Sequence, residues 1–400
     1  MAELPSPTST IVPDRRLPAQ ILVATLGRLL INTGRRLPYP FAPALSRGLG
    51  VSLTAITSLI AINQVTGVLS PLFGPLSDRW GYRTMKLLGL GLFAAGMLLV
   101  GLVPLYLTLL IALVLVGLGK SIFDPALQAY VGERVPFQRR GLAVGLVELS
   151  WAGASLVGIP LVGLLLERFT WQTPFLVLGS LAVLSWLVLA RLIPATPRGQ
   201  NTTTQMVSTS PTRWRLLLNR PTALGLVVAG LLFSLANDTL FVVYGVWLEA
   251  QFNLGVAAIG LAATVIGLAE LLGELLTAGL ADRLGLHRSI ITGAFLTALS
   301  YAILPIIGHS VSWALVGLFW VFLSFEFTIV TMISLVTEVL PEARATLLSA
   351  YFAGGGVGRV IGALLGGVLW LWAGMPAIGA ASALISFVAA MVLAWSFRRS

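Results

Sequence analysis

The feature that most constrains this chain is a succession of long apolar runs. Twelve of them are long enough to cross a bilayer as a helix, which takes about 20 mostly apolar residues. They are too continuously apolar for barrel strands, in which apolar and polar residues alternate over about ten positions. We therefore expect an all-α integral membrane protein. The twelve predicted spans cover approximately residues 19–46, 53–76, 84–104, 106–132, 141–166, 171–193, 221–247, 256–280, 288–308, 311–336, 345–371 and 374–397.

The composition excludes several other classes of protein. Of the 400 residues, 57% are hydrophobic and only 10% are charged, whereas soluble domains have about 25% charged residues. A soluble enzyme and a disordered protein are therefore both excluded. The chain has no cysteine and two histidines, so we expect no disulfide, no metal site and no cofactor. Nothing in the sequence resembles a phosphate-binding loop or a Ser/His/Asp set, and the protein is not expected to be an enzyme.

Lysine and arginine residues are distributed unevenly about the spans. Twelve spans place both termini on one side, and 18 of the 25 basic residues fall on that side. Only two, Arg47 and Arg168, fall on the other side, and the remaining five lie inside spans. The positive-inside rule therefore predicts that both termini are cytoplasmic in the inner (plasma) membrane. The net charge of +10 is attributed to this topology, and no nucleic acid is expected as a partner.

One long polar stretch, residues 194–219, separates six spans from six spans. Its run Gln200–Thr204 has the composition of a flexible linker. The sequence thus predicts a tail over residues 1–18, a bundle over 19–193, the linker over 194–219 and a second bundle over 220–400.

The two halves repeat each other. The loop Gly74–Arg83 follows span 2, and a similar loop, Ala278–Arg288, follows span 8. Asp78 and Asp282 are 204 residues apart in these loops. A second pattern, Glu-x-x-Pro-x-x-Arg, begins at Glu133 in one half and 205 residues later in the other. Near-equal offsets indicate an internal duplication, which is the architecture of secondary transporters, whose substrate site lies between the repeats.

With these motifs the sequence resembles the major facilitator superfamily. The resemblance rests on Gly-x-Leu-Ser-Asp-Arg-x-Gly-x-Arg at Gly74–Arg83 and its weaker copy, and it implies two pseudo-symmetric six-helix bundles. It also implies that the two loops latch and release one end of the bundles. The candidate gating residues are Gly74, Asp78, Arg79, Gly81, Arg83, Asp282 and Arg283.

Span 5 is similar in its glycines to the fifth span of drug/proton antiporters. Its sequence Gly158-Ile159-Pro160 departs from the adjacent Gly-Pro of those proteins, and simple close packing is an equal alternative. In span 11, Gly358, Gly362 and Gly366 are spaced by four residues, which predicts one face of close helix contact.

Ionisable residues inside spans are costly and usually either paired or functional. The resemblance implies that spans 1, 4, 7 and 10 line a central cavity. Lys120 and Asp124 would meet on one helix face and neutralise each other. The candidate proton-coupling acids are Glu270, Glu274, Glu326 and Asp238. The candidate cavity residues are Arg28, Asn32, Arg35, Arg36, Asn63, Gln64, Lys120, Asp124, Trp320 and Arg359.

The arginines of span 1 form one polar stripe. Two interpretations remain open: they pair with acids such as Glu270 or Glu274, or Arg35 binds a carboxylate or phosphate group of a substrate. We expect a secondary transporter that works by alternating access, with proton-coupled efflux of small amphipathic compounds as the leading function. Import or exchange of an organic anion is the alternative, and a non-transporting receptor is a third. The expected partners are a small-molecule substrate and membrane lipid, and the protein is expected to be monomeric.

Overall fold

The computed structural model describes residues 16–69, 73, 76–77, 80–193 and 216–399. Nearly all of them lie in helices. The helices of the first half are α1 (Leu17–Arg36), α2 (Pro38–Leu49), α3 (Leu53–Val68), α4 (Tyr82–Leu102), α5 (Tyr106–Arg134), α6 (Phe137–Gly153), α7 (Ile159–Arg168) and α8 (Thr173–Leu192). Those of the second half are α9 (Pro221–Phe241), α10 (Tyr244–Phe252), α11 (Val256–Leu276), α12 (Leu286–Ile307), α13 (Val311–Val339) and α14 (Arg344–Arg398).

The helices agree with the predicted spans. Within the described ranges, nine helices are long and apolar enough to cross a membrane. One of them, Thr346–Arg398, has 53 residues, which is enough for two spans. The shorter apolar helix α3 and the pair α1–α2, which carries the three arginines of span 1, match the first two predicted spans. The all-α membrane fold is thus confirmed, and the number of helices is consistent with twelve spans.

The helix boundaries differ from the predicted spans at the two ends of the chain. The first predicted span, 19–46, divides at Leu37, because proline at positions 38, 40 and 43 removes backbone donors and disturbs the helix; Phe41 has non-helical φ −106° and ψ 16°. The last two predicted spans, in contrast, are joined in α14. Their boundary is the pair Ala373 and Gly374, where Gly374 has φ 63° and ψ −146°, a conformation that favours glycine.

Two π-helical turns interrupt spans that face each other. Ala154–Gly158 joins α6 to α7, and Thr277–Ala281 follows α11. Such a turn holds one extra residue in a helix and is often found at functional sites. The two spans approach closely, because a Cβ added at Gly267 would lie 2.8 Å from the Cβ of Ser155.

Glycines bring helices together within and between the halves. In α14, a side chain at Gly358, Gly362 or Gly366 would overlap backbone carbonyls of α9, so the predicted face of close contact is confirmed. Gly163 of α7 lies against Gly260 of α11, where an added Cβ would be 3.1 Å from the Cα of Gly260. This contact belongs to the boundary between the two bundles.

The bundles meet firmly at one end. There α2 packs against α10 so closely that a side chain at Gly245 would overlap the carbonyl of Pro40. Arg47 and Glu249 form an ion pair of 2.5 Å across the same contact. At the opposite end, added Cβ atoms at Gly145 and Gly279 would meet nothing within 4 Å. We call these the sealed end and the terminal end, since α1 begins and α14 finishes at the latter.

Candidate functional site

A first group of charged residues lies within the N-terminal bundle. Arg28 of α1 makes ion pairs with Asp124 (3.1 Å) and Glu148 (3.0 Å). Lys120 donates to Asp124 at 2.7 Å and to the Asn32 side-chain oxygen at 2.6 Å. We call these five residues the N-bundle network. Two cations face two acids in it, and the expected pair between Lys120 and Asp124 is present.

A second group joins the two bundles through one arginine. Both terminal nitrogens of Arg36 donate to Glu270 of α11, at 2.8 Å and 2.7 Å. Arg36 also donates to the Ser155 hydroxyl in the π-helical turn. Its guanidinium lies 3.9 Å from the ring centre of Trp151, a distance typical of a cation–π contact. The side chains of Arg36 and Glu270 are each only 5% exposed, so this is a buried ion pair between the halves.

A third group lies where α3 meets α9 and α14. Asp238 accepts hydrogen bonds from the Tyr39 hydroxyl (3.2 Å) and the Gln64 amide (3.1 Å). Arg35 donates to the other end of the same Gln64 amide. The Nε of Arg359 lies 3.9 Å from Asp238. These five residues, the seam cluster, place two arginines around one carboxylate. Arg35 therefore does not pair with Glu270 or Glu274; its neighbour Arg36 makes the pair with Glu270.

The C-terminal bundle also carries a face of three acids. Glu270 and Glu274 are one turn apart on α11. Glu326 of α13 packs against α11 at Gly273, where an added Cβ would lie 2.8 Å from the Cβ of Glu326. Glu326 is buried, with 8% exposure. In the described part of the chain, neither Glu274 nor Glu326 has a hydrogen-bond or ion-pair partner. We call Glu270, Glu274 and Glu326 the acid face.

Aromatic side chains connect these groups. The ring of Phe241 lies 4.5 Å from Tyr39, 5.3 Å from Tyr244 and 5.5 Å from Phe322. Trp320, a candidate cavity residue, is 56% exposed. It is two residues from Phe322 and hence lies on the opposite side of the helix. Because apolar residues occupy almost every position of this span, its sequence alone does not show which aromatic side chains face inward.

Asn63, another candidate cavity residue, makes a hydrogen bond within the N-terminal bundle. It is buried, and its amide donates to the Leu113 carbonyl on α5. This bond joins two helices of one bundle. Its neighbour Gln64, in contrast, is a member of the seam cluster and donates to Asp238.

The predicted gating loops are described only in part. Gly74, Asp78, Arg79 and the Asp282 side chain lie outside the described residues. Gly81 and Gly285, at equivalent places 204 residues apart, have almost the same left-handed conformation, with φ 82° and 83° and ψ 144° and 134°. Each directly precedes the helix that follows, α4 or α12, and the backbone conformation at this position is thus the same in both halves. Arg83 donates to the Ala190 carbonyl at 2.7 Å.

The comparison with known families decides the class of this protein. The family model described as Major Facilitator Superfamily matches residues 24–244 and 226–400. The chain belongs to the major facilitator superfamily. It is thus a multi-pass membrane transporter and not an enzyme, as the sequence indicated.

Individual members of the superfamily resemble the chain along much of its length. It is 28% identical, over 74% of its length and 75% of the relative, to the uncharacterized MFS-type transporter YceJ of Bacillus subtilis. It is 23% identical to a homolog of the multi-drug resistance efflux pump PmrA of Lactococcus lactis, over 94% of both chains. It is 27% identical to the multidrug resistance protein MdtG of Escherichia coli, over 70% of each.

Solved transporters share the fold. A bacterial homolog of the human lysosomal transporter Spinster, inward-facing and unoccupied, has a TM-score of 0.76 at 16% identity and covers 96% of this chain and 98% of that one. A POT family transporter in complex with 5-aminolevulinic acid has a TM-score of 0.75 at 17% identity, with 96% of both chains covered. These likenesses establish the two-bundle fold.

Several residues of the site were not predicted from the sequence. Tyr39, Trp151 and Ser155 each contact a charged side chain of the groups above. Ser155 is a small residue in a glycine-rich span, and nothing in its spacing distinguishes it. Tyr39 lies beside prolines in an extension of span 1, and only the break at Leu37 turns it toward Asp238.

Proposed function

We propose that this transporter exports small amphipathic compounds in exchange for protons, by alternating access. The observation that carries the proposal is the acid face, where three carboxyl groups share one arginine. Three ionised carboxylates there would leave uncompensated negative charge inside the membrane, which is costly. The acid face is thus suited to bind a proton, and equally a cationic group of a substrate, and binding of one would oppose binding of the other.

Glu326 is our first candidate for the group that carries the proton. It is buried and makes no ion pair among the described residues, so its protonation breaks none. Glu270 differs, because it holds Arg36 with two hydrogen bonds. A proton or cation that arrives at the acid face would weaken this bond. Since Arg36 and Glu270 belong to different bundles, the bond must lengthen or break whenever the bundles separate there.

The proposed topology is compatible with export. If both termini are cytoplasmic in the inner membrane, the sealed end faces outward and the cavity opens to the cytoplasm. An exporter loads its substrate in this state. Relatives named as multidrug resistance proteins and the aromatic contacts around Phe241 support export of amphipathic compounds.

The loop motif supplies the proposed cytoplasmic latch. Asp78, Arg79 and Arg83 in one half, with Asp282 and Arg283 in the other, would make charge-assisted bonds in the state closed at the terminal end. These bonds would then break as the cavity opens. The duplicated geometry at Gly81 and Gly285 supports a paired role for the two loops.

Transport of an organic anion is a second candidate function. It is favoured by the seam cluster, in which Arg35 and Arg359 surround the single carboxylate of Asp238. A substrate carboxylate or phosphate would find two guanidinium groups there, and guanidinium groups bind such anions in a bidentate manner. In this case the anion would take over bonds that Asp238 makes in its absence.

Flux in proteoliposomes separates these functions. Purified protein is reconstituted, a pH gradient is imposed, and accumulation of amphipathic cations and of amphipathic carboxylates is compared. We expect gradient-driven accumulation of cations that is abolished by a proton ionophore. Insensitivity to the ionophore would exclude proton coupling, and accumulation of carboxylates alone, lost in Arg35→Gln, would favour the second candidate. Thermal unfolding of each variant checks that it is folded.

A further inference from the structure

A groove of about 520 Å³ opens on the outside of the C-terminal bundle. It follows the line of contact between α9 and the last part of α14, and all nine residues that line it are apolar. The principal lining residues are Leu224, Gly225, Val228, Phe387, Met391 and Trp395. None of them belongs to the seam cluster, the acid face or the N-bundle network.

The groove exists because small residues bring the two helices together at one point. A side chain at Gly225 would overlap the hydroxyl of Ser396, so the backbones approach there without any large residue between them. Phe387 and Trp395 lie two turns apart on one face of α14 and remain 46% and 52% exposed. With Met391 between them they form the α14 wall of the groove, and Leu224 and Val228 belong to the α9 wall.

Arginines stand at the mouth of the groove. The Arg399 guanidinium lies 4.4 Å from the ring centre of Trp395, a lining residue. Arg220 directly precedes Pro221, which also lines the groove, and the side chains of both arginines are exposed. The groove thus runs along apolar membrane-spanning helices and ends in positive charge at the terminal end, where lipid headgroups begin.

We propose that this groove is a binding site for one anionic phospholipid. An acyl chain would lie between α9 and α14, along Phe387, Met391 and Trp395, and the phosphate would contact Arg399 and Arg220. Basic pockets between membrane helices bind lipid headgroups in this manner. A second copy of this chain is a poorer occupant, because a symmetric contact would bring the same arginines together. The charge therefore selects phospholipids such as phosphatidylglycerol over neutral phosphatidylcholine.

Tryptophan quenching tests the proposal directly, because Trp395 forms a wall of the groove. The protein is reconstituted with phospholipids whose acyl chains are brominated, and the Trp395 signal is the difference between wild type and Trp395→Phe. We expect brominated phosphatidylglycerol to quench this signal at a lower mole fraction than brominated phosphatidylcholine. Arg399→Gln and Arg220→Gln should each weaken the preference roughly fivefold.

Matched variants distinguish a built site from general attraction to a basic surface. Arg191→Gln removes an exposed arginine at the end of α8 in the other bundle and should leave the preference unchanged. Val228→Phe fills the groove and should reduce quenching by both lipids, whereas Val316→Phe, at a similarly exposed valine, should not. Equal quenching by the two lipids in wild type, or an Arg191→Gln effect as large as that of Arg399→Gln, would overturn the proposal. Neither result would bear on transport.

Discussion

The two bundles handle buried charge in opposite ways. In the N-bundle network, Arg28 and Lys120 are matched by Asp124 and Glu148, and every charge has a partner within its own bundle. On the acid face, Glu270 forms an ion pair with Arg36 of the other bundle, while Glu274 and Glu326 make no ion pair among the residues described. The N-bundle network is paired within one bundle, so its ion pairs can persist while the bundles move. The contacts of the acid face, in contrast, change when the bundles move apart or when a proton or substrate binds.

The difference indicates which charges support the fold and which support transport. Buried ion pairs contribute little net stability, but the loss of one partner is severe because it leaves an unpaired buried charge. Substitutions in the N-bundle network should therefore affect stability first. Substitutions on the acid face should affect transport first. The first three experiments below test this contrast, and the fourth tests an exposed ion pair at the sealed end.

Asp124→Asn should have the largest effect on stability. It leaves Arg28 and Lys120 with only the partly exposed Glu148 between them, so we expect a loss of about 3–5 kcal/mol in the free energy of unfolding. Thermal unfolding in detergent measures it. Glu133→Gln, at an exposed acid on the same helix, is the control and should change little. A stable Asp124→Asn protein would mean that the network is not a structural unit.

Exchange of the charges between Arg36 and Glu270 tests the bond between the bundles. Glu270→Arg and Arg36→Glu should each abolish transport and cost about 3 kcal/mol in stability, since each places two like charges together in a buried site. The double variant should regain transport in part. The pair Arg35→Glu with Glu270→Arg should not, because Arg35 lies in the seam cluster. Equal recovery in both double variants would argue against a specific bond.

Glu326→Gln should separate stability from transport most clearly. No ion pair is lost, so the free energy of unfolding should change by less than about 1 kcal/mol. Accumulation driven by a pH gradient should nevertheless disappear, while exchange of substrate down its own gradient persists. Glu338→Gln, at the exposed end of the same helix, serves as the control. A drop in stability as large as that of Asp124→Asn would show that Glu326 has a partner.

Arg47→Gln should have the smallest effect. The side chain is 61% exposed, and an exposed ion pair is worth about 0.5 kcal/mol. This should be enough to open the sealed end about twofold more often. Because the chain has no cysteine, a single Ala42→Cys in α2 can report alkylation from that side. An unchanged labelling rate would show that Arg47 and Glu249 do not hold the sealed end closed.

Much of the fold was predictable because bilayer thickness dictates the length of apolar runs. The internal repeat was also predictable, since Asp78 and Asp282 mark it in the sequence. The break at Leu37 and the continuity through Gly374 were not, because they depend on how neighbouring helices constrain the backbone. The exact bounds of the four predicted regions, including the linker over 194–219, stay a prediction.

The site was predictable where a contact is local. Lys120 and Asp124 are four residues apart on one helix, and helix geometry alone brings them together. Arg35 and Arg36 differ by roughly 100° around the helix axis, and only the packing of α1 against α11 decides which of them reaches Glu270. Contacts between bundles need the relative rotation of two helices, and no spacing in the sequence gives it.

The π-helical turn at Ala154–Gly158 makes chain length a constraint in its own right. The turn already accommodates one extra residue, so deletion of one residue there would let the span wind as a regular helix with α7 in nearly the same orientation to α6. Gly163 would then still face Gly260, whereas deletion of one residue elsewhere between α6 and Gly163 would turn α7 by roughly 100°. This span should therefore tolerate a single-codon deletion at the turn and reject one in the regular helix on either side, and a library of such deletions along it would map the turn genetically.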